Sequence, residues 1–287
     1  MKVVGFTFVR NGIIYDYPFL ESIRSLLPLC DEVIVAVGRS DDSTLEQIQT
    51  LHSSKVRILE TVWDDSLRKD GTILSQQTNL ALDQAAGDWA IYLQADEVLH
   101  EKEYPIIKHS LALYKNMNEV EGLLFHYKHF YGSYKYIGDS RRWYRREIRI
   151  VRPTSKVRSW GDAQGFRIDG RKLHVKLIDA SVYHYGWVKP PDIQMLKQKY
   201  FNKLWHPDDW VDQHVGDAAE YDYRQCGKLK LFDGTHPEVM RERVLEQNWF
   251  FQYEPNKVQK SVKDTLLDWI EARSGWRIGE YKNYSMI

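Results

Sequence analysis

The first hundred residues alternate short apolar runs with segments of helical period, and that alternation constrains the fold more than any other feature. Val3 to Val9 is a compact apolar run that stops at Arg10-Asn11-Gly12, a strand entering a turn. Phe19, Ile23, Leu26 and Leu27 then repeat with helical spacing behind Asp16 and Pro18. Val33-Ile34-Val35-Ala36-Val37 is a second strand, followed by the polar turn Gly38-Arg39-Ser40-Asp41-Asp42-Ser43-Thr44 and a helix marked by Leu45, Ile48 and Leu51. Val56 to Leu59 gives a third strand. Ile73 to Ala86 reads as a helix closed by Gly87, a residue suited to a left-handed C-terminal position, and Trp89 to Leu93 is the fourth strand. Strands apolar on both faces and separated by helices predict a largely parallel α/β sheet. Ligands bind such sheets at the carboxyl ends of the strands, and Arg10, Asp42 and Asp96 all follow such ends.

From Gly122 to Trp187 the texture changes. Alternating segments such as Glu147-Ile148-Arg149-Ile150 and Leu173-His174-Val175-Lys176-Leu177 predict added, partly antiparallel strands. Beyond Lys189-Pro190-Pro191 the chain reads as helical. Ile193, Leu196, Tyr200 and Leu204 mark one helix, Thr235 and Glu238 have capping-box spacing before another, and Val262 to Arg273 forms a third ahead of Gly275.

Forty basic and forty acidic residues cancel, which removes any global attraction to nucleic acid. The two cysteines, Cys30 and Cys226, form neither a disulfide framework nor a metal-ligand spacing. No apolar run has the length of a membrane span, and the N-terminus reads as a first core strand rather than a signal peptide. A cytoplasmic protein is the expectation. Aromatic residues make up 13% of the chain, and rings with polar edges suit sugar and nucleobase faces as well as cores.

Three motifs in order carry a resemblance. Phe8-Val9-Arg10-Asn11 follows the first strand, Ser40-Asp41-Asp42-Ser43-Thr44 the second, and "NLALDQAAGDWAIYLQADEV" runs through the fourth. Together they resemble the nucleotide-sugar half of GT-A glycosyltransferases of family two, with Asp96 at the last position of that family's Asp-x-Asp motif. The resemblance implies a GT-A fold, Rossmann-like with a mostly parallel sheet. Residues 1–187 would form the catalytic domain, with a nucleotide-binding half to about residue 100 and an acceptor half beyond it; residues 188–287 would be a helical extension. It implies transfer of a sugar, with inversion, from a nucleoside-diphosphate sugar to a hydroxyl acceptor such as a glycan or lipid-linked saccharide. Cell-envelope polysaccharide synthesis at the inner face of a membrane fits such an acceptor.

The leaving diphosphate develops negative charge, which a divalent cation, Mn²⁺ or Mg²⁺, held by a carboxylate can neutralise. Asp96 is the ligand expected, with Gln94 and Ala95 beside it. Gln94 replaces the family's first acid by an amide that brings no charge, so a second ligand is expected elsewhere. His184, in Val182-Tyr183-His184-Tyr185-Gly186-Trp187, follows an apolar stretch and precedes a glycine; the resemblance implies that such a late histidine completes the metal site, while a hydrogen-bonded core histidine is the plain alternative. Asp42 matches the acid expected to touch the nucleoside, although it also suits a helix N-terminus. Arg10, Asn11, Arg68 and Asn79 are further nucleotide-side candidates.

A direct attack by a hydroxyl needs a base. Asp162, flanked by Gly161 and Gly165, is the candidate, with Glu147 as alternative; Glu147 stands beside Arg145, Arg146 and Arg149 and also reads as an ion-paired strand residue. Asp233 and His236 form a third possibility, or a turn and helix cap. The run Arg141, Arg142, Arg145, Arg146, Arg149, Arg152 suits an anionic surface or, more simply, an ion-paired face. Two rival functions remain: a nucleotidyltransferase, for which no glycine-rich phosphate loop follows the first strand, and a non-catalytic nucleotide- or glycan-binding protein, supported by Gln94.

Overall fold

The computed structural model describes residues 1–64, 66–67, 69–215, 218–224, 226–255 and 262–287, so Arg68 lies outside the described residues. The first elements are β1 (Val3–Val9), α1 (Phe19–Leu26), β2 (Glu32–Gly38), α2 (Thr44–Gln49), β3 (Val56–Thr61), α3 (Thr72–Leu82) and β4 (Trp89–Tyr92). There follow β5 (Glu97–Leu99), α4 (Tyr104–Tyr114), β6 (Gly122–Tyr131), β7 (Ser133–Gly138) and β8 (Arg146–Val151). Next come β9 (Val157–Trp160), β10 (Gly165–Ile168), β11 (Arg171–Lys172) and β12 (His174–Trp187). The last are α5 (Pro191–Lys203), α6 (Asp208–His214), β13 (Leu229–Leu231), α7 (Arg241–Leu245), α8 (Val262–Ser274) and β14 (Ser285–Met286).

The main sheet runs β3-β2-β1-β4 in parallel, then turns antiparallel through β8, β6, β7 and β13. Long β12 lies parallel to β6 and carries β5 antiparallel to itself. This is the α/β class expected, parallel through β4 and mixed beyond it. Alternate residues of β1 point to opposite faces. Val3 and Val9 join a core with Ile23 and Leu26 of α1 and Ile107 and Leu111 of α4, whereas Val4 and Phe6 join one with Ala81 and Leu82 of α3.

Several expected details differ. Gly87 does not adopt a left-handed conformation; a Cβ there would stand 2.8 Å from the Lys2 carbonyl oxygen, so close packing on the start of β1 requires the glycine. Thr235 does not cap the helix beyond it; its hydroxyl meets His100 Nε2 at 2.8 Å. Among the described residues beyond 187, helices α5 to α8 alternate with irregular segments and two short strands that join the main sheet, β13 pairing with β7 and β14 with β12. The arginine run is largely consumed by ion pairs and carbonyls: Arg141 meets Glu271 at 2.8 Å, Arg145 meets Glu280 at 2.7 Å, and Arg152 donates to the Tyr114 and Val120 carbonyls.

Glu97 and Arg149 form a fully buried bidentate pair, with contacts of 2.8 and 2.9 Å. Glu97 also accepts from the Tyr127 hydroxyl and the Gln94 backbone N–H, and Arg149 donates to the Ile148 and Gln164 carbonyls. Burying both charges is costly, and removing one partner leaves the other uncompensated. Glu97→Gln is therefore expected to cost about 3–5 kcal/mol in urea unfolding, with Glu97→Leu/Arg149→Met recovering much of that loss.

Candidate functional site

A cleft opens at the carboxyl ends of β1 and β4. Phe8, Arg10 and Trp63 line it, together with Asp96, Tyr144, His184 and Trp187. Asp162 and Gln164 also line it, as do Lys197, Gln198, Tyr200 and Phe201 from α5.

The turn after β4 aims Asp96 into this space. Glu97 of the buried pair accepts from Gln94 N–H at 3.0 Å, which fixes the turn from below. β5 then pairs with β12, Tyr185 N–H donates to the Asp96 carbonyl at 2.8 Å, and His184 comes to lie opposite Glu97. The Asp96 carboxylate oxygen Oδ2 is consequently 3.7 Å from His184 Nε2, beyond hydrogen-bond range. Gly186 keeps the approach open: a Cβ there would sit 2.5 Å from Asp96 Oδ2 and 2.7 Å from His184 Nε2.

Lys197 donates to Asp96 Oδ2 at 3.3 Å and to the Gly186 carbonyl at 2.8 Å. Burial alone would raise the Asp96 carboxyl, but Lys197, His184 and Lys189 together outweigh it and hold the group well below the usual carboxylate range. Lys189, fully buried nearby, is pushed well below the ordinary lysine range by desolvation and by Lys197, and donates to the Tyr15 carbonyl at 2.7 Å. The apolar face expected for this helix is buried only toward its C-terminal end, where Tyr200, Phe201 and Leu204 pack with Trp63, Ile73 and Leu74. Leu196 is exposed, and the buried residues within α5 are Gln194 and Lys197, the latter lining the cleft.

Burial raises the Asp162 carboxyl, making it a stronger base, and its Oδ1 accepts from Gln164 N–H at 3.3 Å. Glu147 does not line the cleft. It is buried on β8, and burial pushes its carboxyl up to about 8. Nor is it the ion-paired residue expected, since the partner of Arg149 is Glu97. Glu147 Oε2 has no hydrogen-bond partner among the described residues.

Of the sequence candidates, Arg10, Gln94, Ala95, Asp96, Asp162 and His184 meet in the cleft. Asn11, Asp42 and Asn79 do not. Both Asp42 oxygens are engaged, one by Ile13 and Ile14 N–H groups and the other by Thr44, so Asp42 fastens the loop after β1 to the start of α2 and lines a separate hollow. Asn11, left-handed at φ 52°, exchanges hydrogen bonds with Asp41. Asn79 bridges α3 to both backbone groups of Ser159. His236 is occupied by the Tyr185 hydroxyl and the Tyr134 carbonyl, and burial lowers it to about 4. Lys197, Trp63 and His129, which contacts His184 from behind, carried no sequence signal: a lysine on a helix and a histidine in a strand look alike whether exposed or buried.

The chain matches no family model and no curated protein. Among solved structures it is similar to S. aureus TarS, at 16% identity and TM-score 0.40, over 74% of this chain and 42% of that one. It spans 70% of a TarS 1–349 structure in complex with UDP, at 15% identity and TM-score 0.40 over 75% of this chain. Glucosyl-3-phosphoglycerate synthase from Mycobacterium tuberculosis, in complex with Mn²⁺, UDP and phosphoglyceric acid, is similar at 17% identity and TM-score 0.29, over 45% of this chain and 43% of that one. At these scores the likeness says nothing of donor or acceptor.

Two outcomes follow from the geometry. Gly186→Ala is expected to crowd Asp96 Oδ2 and His184 Nε2 and so to shift the His184 ring-nitrogen NMR signals, while the far-ultraviolet circular dichroism stays that of the wild type. The folded-state value of about 8 for Glu147 exceeds the ordinary 4.5, so as pH rises the unfolded chain releases this proton first. Stability from this group is then greatest at acid pH and declines as pH rises from 4.5 to about 8. Urea midpoints across that window should show the decline in the wild type and a smaller one in Glu147→Gln.

Proposed function

We propose that this chain is a glycosyltransferase that moves a sugar from a nucleoside-diphosphate sugar to a hydroxyl acceptor, a glycan or lipid-linked saccharide. The observation that carries the reading is the facing pair of Asp96 Oδ2 and His184 Nε2, held 3.7 Å apart at the end of a parallel sheet with no side chain on Gly186 between them. The gap and the donor set, one carboxylate and one imidazole, fit a divalent cation whose remaining ligands come from phosphate and water. Asp96 and His184 would hold Mn²⁺ or Mg²⁺, which when bound supplies Lewis-acid stabilisation of the diphosphate leaving group.

The chain's own residues do the rest. Lys197 brings a further positive charge to the diphosphate side. Arg10, its guanidinium 5.5 Å from the Trp63 ring, and Phe8 offer a flat wall for the nucleoside. Asn11 and Asp42 act at one remove, by bracing the loop that carries Arg10. Asp162 accepts the proton of the acceptor hydroxyl as its oxygen attacks the anomeric carbon; a single displacement of this kind inverts configuration. Tyr144 and Trp187 shape the acceptor side. A lipid-linked acceptor would bring the protein to the inner face of a membrane, and among the described residues no helix is long and apolar enough to cross one.

The hydrogen bond from Lys197 to Asp96 favours a second reading, in which the ammonium alone neutralises the diphosphate. Thermal unfolding with UDP, GDP or dTDP, with and without Mn²⁺, separates the two. Stabilisation by at least one nucleotide that needs Mn²⁺ and disappears in Asp96→Asn is expected; equal stabilisation in chelator would transfer the role to Lys197, and none with any nucleotide would sink the donor assignment. Asp162→Asn should lower transfer by about 10²–10⁴-fold and leave donor binding intact. Slow hydrolysis of the donor without acceptor distinguishes an enzyme from a binding protein on the same fold.

A further inference from the structure

What His184 Nε2 carries is decided behind the ring. His129 on β6 is the register partner of His184 on β12, and the two Nδ1 atoms lie 3.1 Å apart. The other nitrogen of His129, Nε2, lies 2.9 Å from the Tyr144 carbonyl oxygen. A carbonyl oxygen only accepts, so His129 Nε2 carries a hydrogen. One further hydrogen must lie between the two Nδ1 atoms.

If His129 supplied that hydrogen, it would be an imidazolium whose polar contacts are a carbonyl and another imidazole. It is buried and enclosed by the rings of Tyr127, Trp143 and Tyr144, at centroid distances of 5.2, 5.0 and 4.4 Å. A cation buried without a carboxylate in contact is costly, so the neutral ring is favoured. A neutral His129 instead offers a lone pair at Nδ1, and the shared hydrogen belongs to His184 Nδ1. In the neutral His184 ring, Nε2 is then a lone pair facing the Asp96 carboxylate. Two acceptors confronting each other across an open gap make a seat for a cation.

We propose that His129 is a positioning residue that fixes His184 in its Nδ1–H tautomer, turning Nε2 toward Asp96 as an electron-pair donor. The cation that uses the seat rests on the metal reading above; the tautomer does not. Because the Nδ1–H form is the minor one of a free neutral histidine, finding it would be diagnostic.

Ring-nitrogen NMR of the whole metal-free protein at about pH 8, where an unperturbed histidine is neutral, reads the tautomer directly. The expected result is a protonated Nδ1 and bare Nε2 on His184, with the reverse on His129. His129→Gln can accept from His184 through its amide oxygen and donate to Tyr144 through its amide nitrogen, so it should keep both the His184 tautomer and the Mn²⁺ affinity. His129→Phe keeps the ring packing but neither hydrogen bond; it should lose the Nδ1–H preference and weaken Mn²⁺ binding, followed by electron paramagnetic resonance of the free ion, about 10–100-fold. A protonated Nε2 on wild-type His184 overturns the proposal, and so does unchanged Mn²⁺ affinity in a folded His129→Phe. If the expected tautomer is present but the wild type binds no Mn²⁺, the positioning role stands and the metal reading falls. Should His129→Phe fail to fold, the wild-type and His129→Gln spectra decide.

Discussion

The buried ion pair between Glu97 and Arg149 is the constraint on which the rest of the site depends. Glu97 holds the turn that presents Asp96, and Arg149 holds the Gln164 carbonyl, two residues from Asp162. A single desolvated pair thus ties together the residue proposed to hold the cation and the residue proposed to take the proton. Its rigidity comes from having nearly every donor and acceptor satisfied, since a half-satisfied pair at that depth would be worse than an apolar core. Two adjacent acids, Asp96 and Glu97, consequently do opposite work: one faces the cleft, the other never leaves the core.

Above that pair the cleft is closed by a helix whose buried residues are polar. Lys197 and Gln194 occupy α5 positions that a hydrocarbon core would give to leucine, and Lys197 balances Asp96. The charge on Asp96 is thereby kept at neutral pH without a metal, and the site is built before any ligand arrives. Such preorganisation would let the proposed cation and diphosphate enter without the protein having to rearrange its charges. His129 extends the same logic one layer further back, where a backbone carbonyl sets one imidazole and that imidazole sets the next.

Much of this was legible in the chain. The apolar runs gave the parallel strands from Val3 to Tyr92, and the rule that ligands gather at strand ends led to Arg10 and Asp96, which do share a cleft. The same rule led equally to Asp42, which the structure spends on Ile13, Ile14 and Thr44. An aspartate after a strand suits a ligand and a helix start alike, and only the positions of nearby N–H groups separate the two. Glu147 shows the converse: its neighbours in sequence are arginines, but Arg145 is taken by Glu280 and Arg149 by Glu97, so closeness in sequence did not make an ion pair.

What the amino-acid order determined by itself was local: periodicity, turns, the acid at the end of the fourth strand, the glycine after His184. These follow from backbone geometry and from which residues tolerate burial, and both act over a few neighbours. What only the tertiary structure decided was which distant groups face one another: Lys197 with Asp96, Arg149 with Glu97, His129 with His184. Charge and hydrogen bonding act through space over a few ångströms, and register between strands far apart in sequence sets those distances. A lysine, an arginine and a histidine therefore acquire their roles only when the sheet brings their partners within reach.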